Sequence, residues 1–171
     1  MAKSDSFFIR AQVTPAQNTY EQTTIDLGAY VDALGKSVLR IHNVAAQVFE
    51  GTTMGLDPNV AIQTTANITW QLTTQSQSAL VQAIDKSVVA SGRLDISNTT
   101  GAVDGYVFLS HDTDVMPQMW TNGYLIATEN IFLGGFCDQQ LSAGATINLV
   151  LECTVETMSQ NAAMALALSQ Q

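Results

Sequence analysis

Positive charge is scarce in this sequence. Six of 171 residues are Lys or Arg, against 15 Asp or Glu, for a formal net charge of −9. All six (Lys3, Arg10, Lys36, Arg40, Lys86, Arg93) lie in the first 93 positions, and residues 94–171 contain none. Gripping a phosphate backbone takes clustered cations, so direct nucleic-acid binding is excluded, and polybasic membrane attachment with it. Long apolar runs are missing too. No stretch approaches the roughly 20 residues that span a bilayer. MAKSDSFFIRAQV also lacks the apolar core of a secretory signal, so maturation in the cytoplasm is expected. The only two cysteines, Cys137 and Cys153, have no metal-type spacing. They read as small buried hydrophobes, with a disulfide as the alternative. Two sequons, Asn67-Ile-Thr69 and Asn98-Thr-Thr100, mean little without export.

What replaces charge is uncharged polarity. Charged residues make up 12% of the chain, about half the usual quarter. Thr (19), Gln (15), Ser (12) and Asn (9) together supply 55 residues. Short β-branched and aromatic runs alternate with Gly, Asn, Asp or Pro, a pattern of strands. Candidate strands are 6–13, 23–26, 37–49, 66–73, 87–96, 102–110, 123–128, 130–136 and 145–158. In 66–73, Ile68, Trp70 and Leu72 share one face. In 145–158, Ile147, Leu149, Leu151, Cys153 and Val155 do the same, opposite a face holding Asn148, Glu152 and Glu156. In 37–49 strict alternation puts Val38, Arg40, His42, Val44 and Ala46 together. Two segments change period. Leu27, Tyr30, Val31 and Leu34, with Asp26 as N-cap and Gly35 as the end, predict a two-turn helix, and Ala79, Leu80, Ala83 and Ile84 a second. No βαβ alternation or internal repeat occurs. The expected architecture is all-β: one antiparallel two-sheet sandwich of jelly-roll type over 1–171, with about eight strands and two short connecting helices. Residues 159–171, rich in helix formers, are expected to form a C-terminal helix or docking arm.

Catalytic signals are weak. Leu34-Gly35-Lys36-Ser37 ends like a phosphate-binding loop, but Tyr30 stands where that loop needs Gly, and a strand rather than a helix should follow. His42 lies within a strand, where a structural imidazole is expected. His111-Asp112-Thr113-Asp114 reads as a solvated strand-end loop, with Asp112 and Asp114 as candidate ligands for a structural calcium. No Gly-x-Ser-x-Gly elbow occurs. Glu129, Glu152 and Glu156 could serve a glycosidase in principle, although Glu152 and Glu156 read more simply as a wet outer surface. No enzyme is expected. Trp70 reads as core. Trp120, between Pro117 and Thr121-Asn122-Gly123, is the candidate exposed aromatic for an interface or ligand, with Tyr106 and Tyr124 as other aromatics.

Uncharged polar groups desolvate more cheaply than ions, so this composition suits a surface that is wet alone and buried against copies of itself. TTIDLGAYVDALGKSVLRIHNVAAQV, ITWQLTTQSQSALV and WTNGYLIATENIFLGG resemble single-jelly-roll major capsid proteins of tailless icosahedral double-stranded DNA viruses of archaea and bacteria. That resemblance implies a structural coat protein of the virion, made in the host cytoplasm. It implies dimers or trimers tiled into pseudo-hexameric capsomers, with itself and a second capsid protein as partners. The shell often lies over an internal viral membrane, and a coat kept from the genome by a membrane needs no basic arm. Ala162–Leu168 would dock on a neighbour or close its own sandwich, and the Asp112/Asp114 loop would bridge subunits through calcium. No other cofactor is expected. Two competitors remain: a carbohydrate-binding jelly roll (a viral spike or surface adhesin) using Trp120, and a metal-dependent cupin-like enzyme, for which His42 and His111 are too far apart in sequence.

Overall fold

The computed structural model describes residues 4–32, 36–51, 64–98, 108–138 and 143–170, with the backbone alone for 108–113. Among the described residues nine strands follow one another: β1 (Phe7–Val13), β2 (Thr19–Asp26), β3 (Ser37–Glu50), β4 (Thr65–Thr73), β5 (Val88–Ser97), β6 (Phe108–Val115), β7 (Tyr124–Ile126), β8 (Asn130–Cys137) and β9 (Ala145–Thr157). A 3-10 turn, Pro117–Met119, precedes β7, and helix α1 (Gln160–Ser169) follows β9.

The strands form two antiparallel sheets, ordered β1-β9-β3-β7 and β2-β8-β4-β5-β6. Pairing runs from the ends of the chain inward: β1 with β9, β2 with β8, β3 with β7, and β4 with β5. The chain is thus one long hairpin wrapped so that successive pairs alternate between sheets. That is the jelly-roll connection. β6 extends the second sheet as an additional edge strand.

Between the sheets lies one apolar core, with Trp70 fully buried beside Leu39, Ile41, Ile68, Leu72, Leu133 and Leu151. Each such aliphatic side chain contributes about 1.5–3 kcal/mol relative to exposure. The alternations read in β4 and β9 supply this core. Trp70 fits because β5 presents Gly92 opposite it, where a Cβ would come within 2.8 Å of the indole nitrogen. Cys137 and Cys153 are buried free thiols. Burial pushes Cys137 up to about 11 and Cys153 up to about 12, with Glu50 and Asp138, and Glu152, adding to the rise.

Several expectations are corrected. Neither predicted connecting helix forms over the described residues. Around Leu27 the backbone makes one closed turn, Val31 N–H to Leu27 C=O at 2.9 Å, and Asp26 does not cap a helix but accepts from Gly28 N–H at 2.8 Å. Leu34 and Gly35 lie outside the described residues; Lys36 is exposed and Ser37 starts β3. Residues 75–84 run as bends because side chains claim their backbone. Gln71 donates to Ala79 C=O and accepts from Val81 N–H, and Gln22 accepts from Gln77 N–H. The strict alternation expected in β3 breaks at a bulge between Ile41 and Asn43. Leu39 and Ile41 face the core before it and Val44 after it, so Arg40 and Val44 are on opposite faces. β2 begins at Thr19 rather than Thr23, and His111–Asp114 belongs to β6 instead of a strand-end loop.

α1 is capped by Ser159, whose hydroxyl accepts from Ala162 N–H at 3.4 Å. Ala163 and Ala167, one turn apart, lie against Val38 and Ala127, so the helix packs on its own sandwich. Gln170 anchors its end. Its side chain donates to Leu125 C=O at 2.6 Å and accepts from Ala127 N–H at 3.0 Å, while its main-chain oxygen takes the Thr74 hydroxyl at 2.8 Å. No helix among the described residues is long and apolar enough to cross a membrane.

Candidate functional site

A concavity lies on the outer side of the four-stranded sheet, where the segment from Pro117 to Gly123 folds over β3. Sequence chemistry fixes that segment at three points. Gly123 has φ +66°, and a Cβ there would sit 2.3 Å from the Ile41 carbonyl oxygen, so only glycine allows this approach. The Gln118 amide pairs with both backbone groups of Val44 at 3.2 Å, standing in for a strand where β7 has ended. The Asn122 carbonyl accepts from the Arg40 guanidinium.

Arg40 is the floor of the cleft. Its Nε and one terminal nitrogen donate to the two Glu156 carboxylate oxygens at 2.7 and 2.8 Å, a two-point pair. The Glu156 carboxylate raises the guanidinium pKa further, so the arginine stays charged. Glu156 is buried, contrary to the expectation of a wet outer face, because β3 and the loop close over it. His42 is half-buried with Nε2 at 2.9 Å from the Thr154 hydroxyl. The arrangement is a neutralised ion pair beside a hydrogen-bonded imidazole.

Trp120 forms one wall. It is 39% exposed, and its ring lies 5.3 Å from that of Tyr124, inclined by 38°. The cleft between Trp120, His42 and Glu156 measures about 540 Å³. A second depression of about 590 Å³ shares Arg40, Asn122 and Gly123 with it and extends to Lys86, Leu166 and Ser169 near α1.

Of the residues singled out in the sequence, Trp120 lines this cleft and Trp70 is core. Asp112 and Asp114 lie elsewhere, on β6. Asp114 is exposed and accepts from the Ser91 hydroxyl at 3.4 Å, while the side chains of His111 and Asp112, and all of Tyr106, lie outside what is described. Among the described residues no cluster of three or more His, Cys, Asp or Glu is placed to hold a metal ion. Glu129 is exposed in the bend between β7 and β8, and Glu152 is half-buried on β9. Sequence reasoning missed Arg40 and Gln118 as site residues. Arg40 and Glu156 are 116 positions apart, and only the strand pairing brings them together.

No protein-family model matches the chain, and no curated protein matches it. Solved structures similar over most of the chain include one of Desmodium yellow mottle tymovirus, at 10% identity and TM-score 0.33, covering 91% of each chain. One of maize chlorotic mottle virus has 7% identity and TM-score 0.34, covering 91% of this chain and 96% of that one. A legume lectin-like domain from Entamoeba histolytica has 9% identity and TM-score 0.23, covering 86% and 84%. The jelly-roll assignment stands on strand order, independently of these likenesses.

Proposed function

We propose that this chain is a structural coat protein that packs against copies of itself to form the capsomers of an icosahedral virion shell. The supporting observation is the open face of the four-stranded sheet. Strand register lines up Gln12, Asn148 and Gln47 in one row, Arg10, Val150 and Ala45 in the next, and Phe8, Glu152 and Asn43 in a third. Phe8, Arg10, Gln12, Asn43, Ala45 and Gln47 are exposed. The amide of Gln12 donates to Asn148 at 2.7 Å, and Arg10 lies over the Phe8 ring at 5.9 Å. One cation and one anion among nine side chains leave a face that can be desolvated against a neighbour without stranding charge.

The low content of Lys and Arg favours a shell whose inner surface does not touch packaged nucleic acid. This suits the double-stranded DNA viruses with an internal membrane that the sequence resembles. A second capsid protein would complete such a lattice. A structural calcium at Asp112 and Asp114 remains part of the proposal, tested by metal analysis of assembled material. Negative-stain imaging of the purified full chain tests the main reading. Regular capsomers or shells are expected, and their loss in the Gln12→Lys/Ala45→Lys double variant, both at exposed positions. Dispersed wild-type monomers would refute the coat reading, and shells unaffected by the lysines would refute this face.

A further inference from the structure

We propose that the cleft beneath Trp120 binds a neutral oligosaccharide, with one sugar ring stacked on the indole. The inference does not rest on the coat reading. It starts from how the aromatic is held. An exposed tryptophan on a loose loop loses mobility when it binds, and that loss opposes affinity. Here the loss is already met by the fold: Gly123 is seated against Ile41, Gln118 is tied at two points to Val44, and Arg40 holds the Asn122 carbonyl. Tyr124 supports one side of the ring. A rigid, part-exposed indole beside a cavity is an apolar platform with a polar edge, the shape that suits the C–H face of a pyranose.

The polar groups narrow the ligand class. Arg40 is engaged by both Glu156 oxygens, so the floor beneath Trp120 has no net charge to attract phosphate or sulfate, while Lys86 lies off in the neighbouring depression. Its carboxylate and guanidinium edges, with the His42 imidazole, supply closely spaced acceptors and donors suited to hydroxyl groups. Thr121 and Asn122 are exposed at the rim, and their side chains bond to no other described residue. The cleft of about 540 Å³ has room for a sugar ring, and a second depression of about 590 Å³ borders the same Arg40 and Asn122-Gly123 turn.

Tryptophan fluorescence of the full chain tests this, because Trp70 is fully buried and only Trp120 is exposed. The probes are maltotriose, cellotriose, xylotriose and the N-acetylglucosamine trimer, titrated to about 50 mM so that dissociation constants in the millimolar range are reached. Inorganic phosphate and a sulfated glycan are the charged comparisons. At least one neutral trimer should shift the emission and protect Trp120 from acrylamide. The affinity should fall at least tenfold in Trp120→Ala and severalfold in Asn122→Ala, with circular dichroism unchanged. Silence from all four trimers, tighter binding of a charged probe, or binding that survives Trp120→Ala would each overturn the proposal. So would Trp120 protection that rises with protein concentration alone, which would make the cleft a contact between copies. A monomeric protein that binds a trimer would keep this inference and end the coat reading.

Discussion

The Gln170→Ala substitution isolates one anchor of the fold. Gln170 is buried, and its amide satisfies the carbonyl of Leu125 and the N–H of Ala127, the latter residue only 1% exposed. Truncation leaves the Leu125 carbonyl and the buried Ala127 N–H without the partner that satisfies them. Each orphaned group costs about 1–1.5 kcal/mol in such a setting, or about 2–3 kcal/mol for the pair. The main-chain bond from the Thr74 hydroxyl to Gln170 is untouched by the substitution, so the effect reports the amide alone. For a domain of this size the loss lowers the melting temperature by roughly 5–10 °C. Urea unfolding followed by circular dichroism should show a lower midpoint at unchanged slope. Hydrogen exchange should speed up first at the Ala127 amide and across α1. A loss under about 0.5 kcal/mol, with Ala127 still protected, would refute the idea that this side chain fastens the helix to β7.

Gly123→Ala should destabilise by at least about 2 kcal/mol, because a left-handed conformation and a carbonyl clash act together. Gly51→Ala shares only the positive φ, its Cβ meeting Ala143 at 3.4 Å, and should cost about 1 kcal/mol in the same thermal melts. Equal losses at both sites would contradict the assigned role of the Ile41 contact. Cys137 and Cys153 should resist Ellman's reagent in the native protein, and both should react in urea. Their folded-state values, about 11 and about 12, lie above the ordinary 9.0, so their stabilisation is complete below pH 9.0 and is lost as pH rises through those values. Cys153→Ala should therefore show a shallower alkaline fall in stability than the wild type, and an identical profile would contradict the burial argument.

Strands whose two faces differ sharply were readable in the sequence. Ile68, Trp70 and Leu72, and the run Ile147 to Cys153, announce their core faces because one side of each meets only apolar neighbours. What escaped detection depends on residues far away in the chain. The bulge at His42 adds a residue that no local pattern marks, and it turns the second half of β3 over. Leu27 and Val31 have helical spacing, yet they are buried by a single turn against the core. The helical spacing of Ala79, Leu80, Ala83 and Ile84 loses to Gln71 and Gln22, whose amides take up the backbone of that segment. Trp120 could be picked out from its turn-rich neighbours. Its partners could not, since Arg40, Glu156 and the Gln118 amide converge only once β3, β9 and the loop have packed.

Sedimentation velocity of the full chain over a concentration series, repeated at about 0.05 and about 0.5 M salt, tests most directly whether uncharged sheet faces drive self-association. Discrete oligomers that grow with concentration and change little with salt are the predicted result. A single monomer boundary at every concentration, or association abolished by the higher salt, would contradict it.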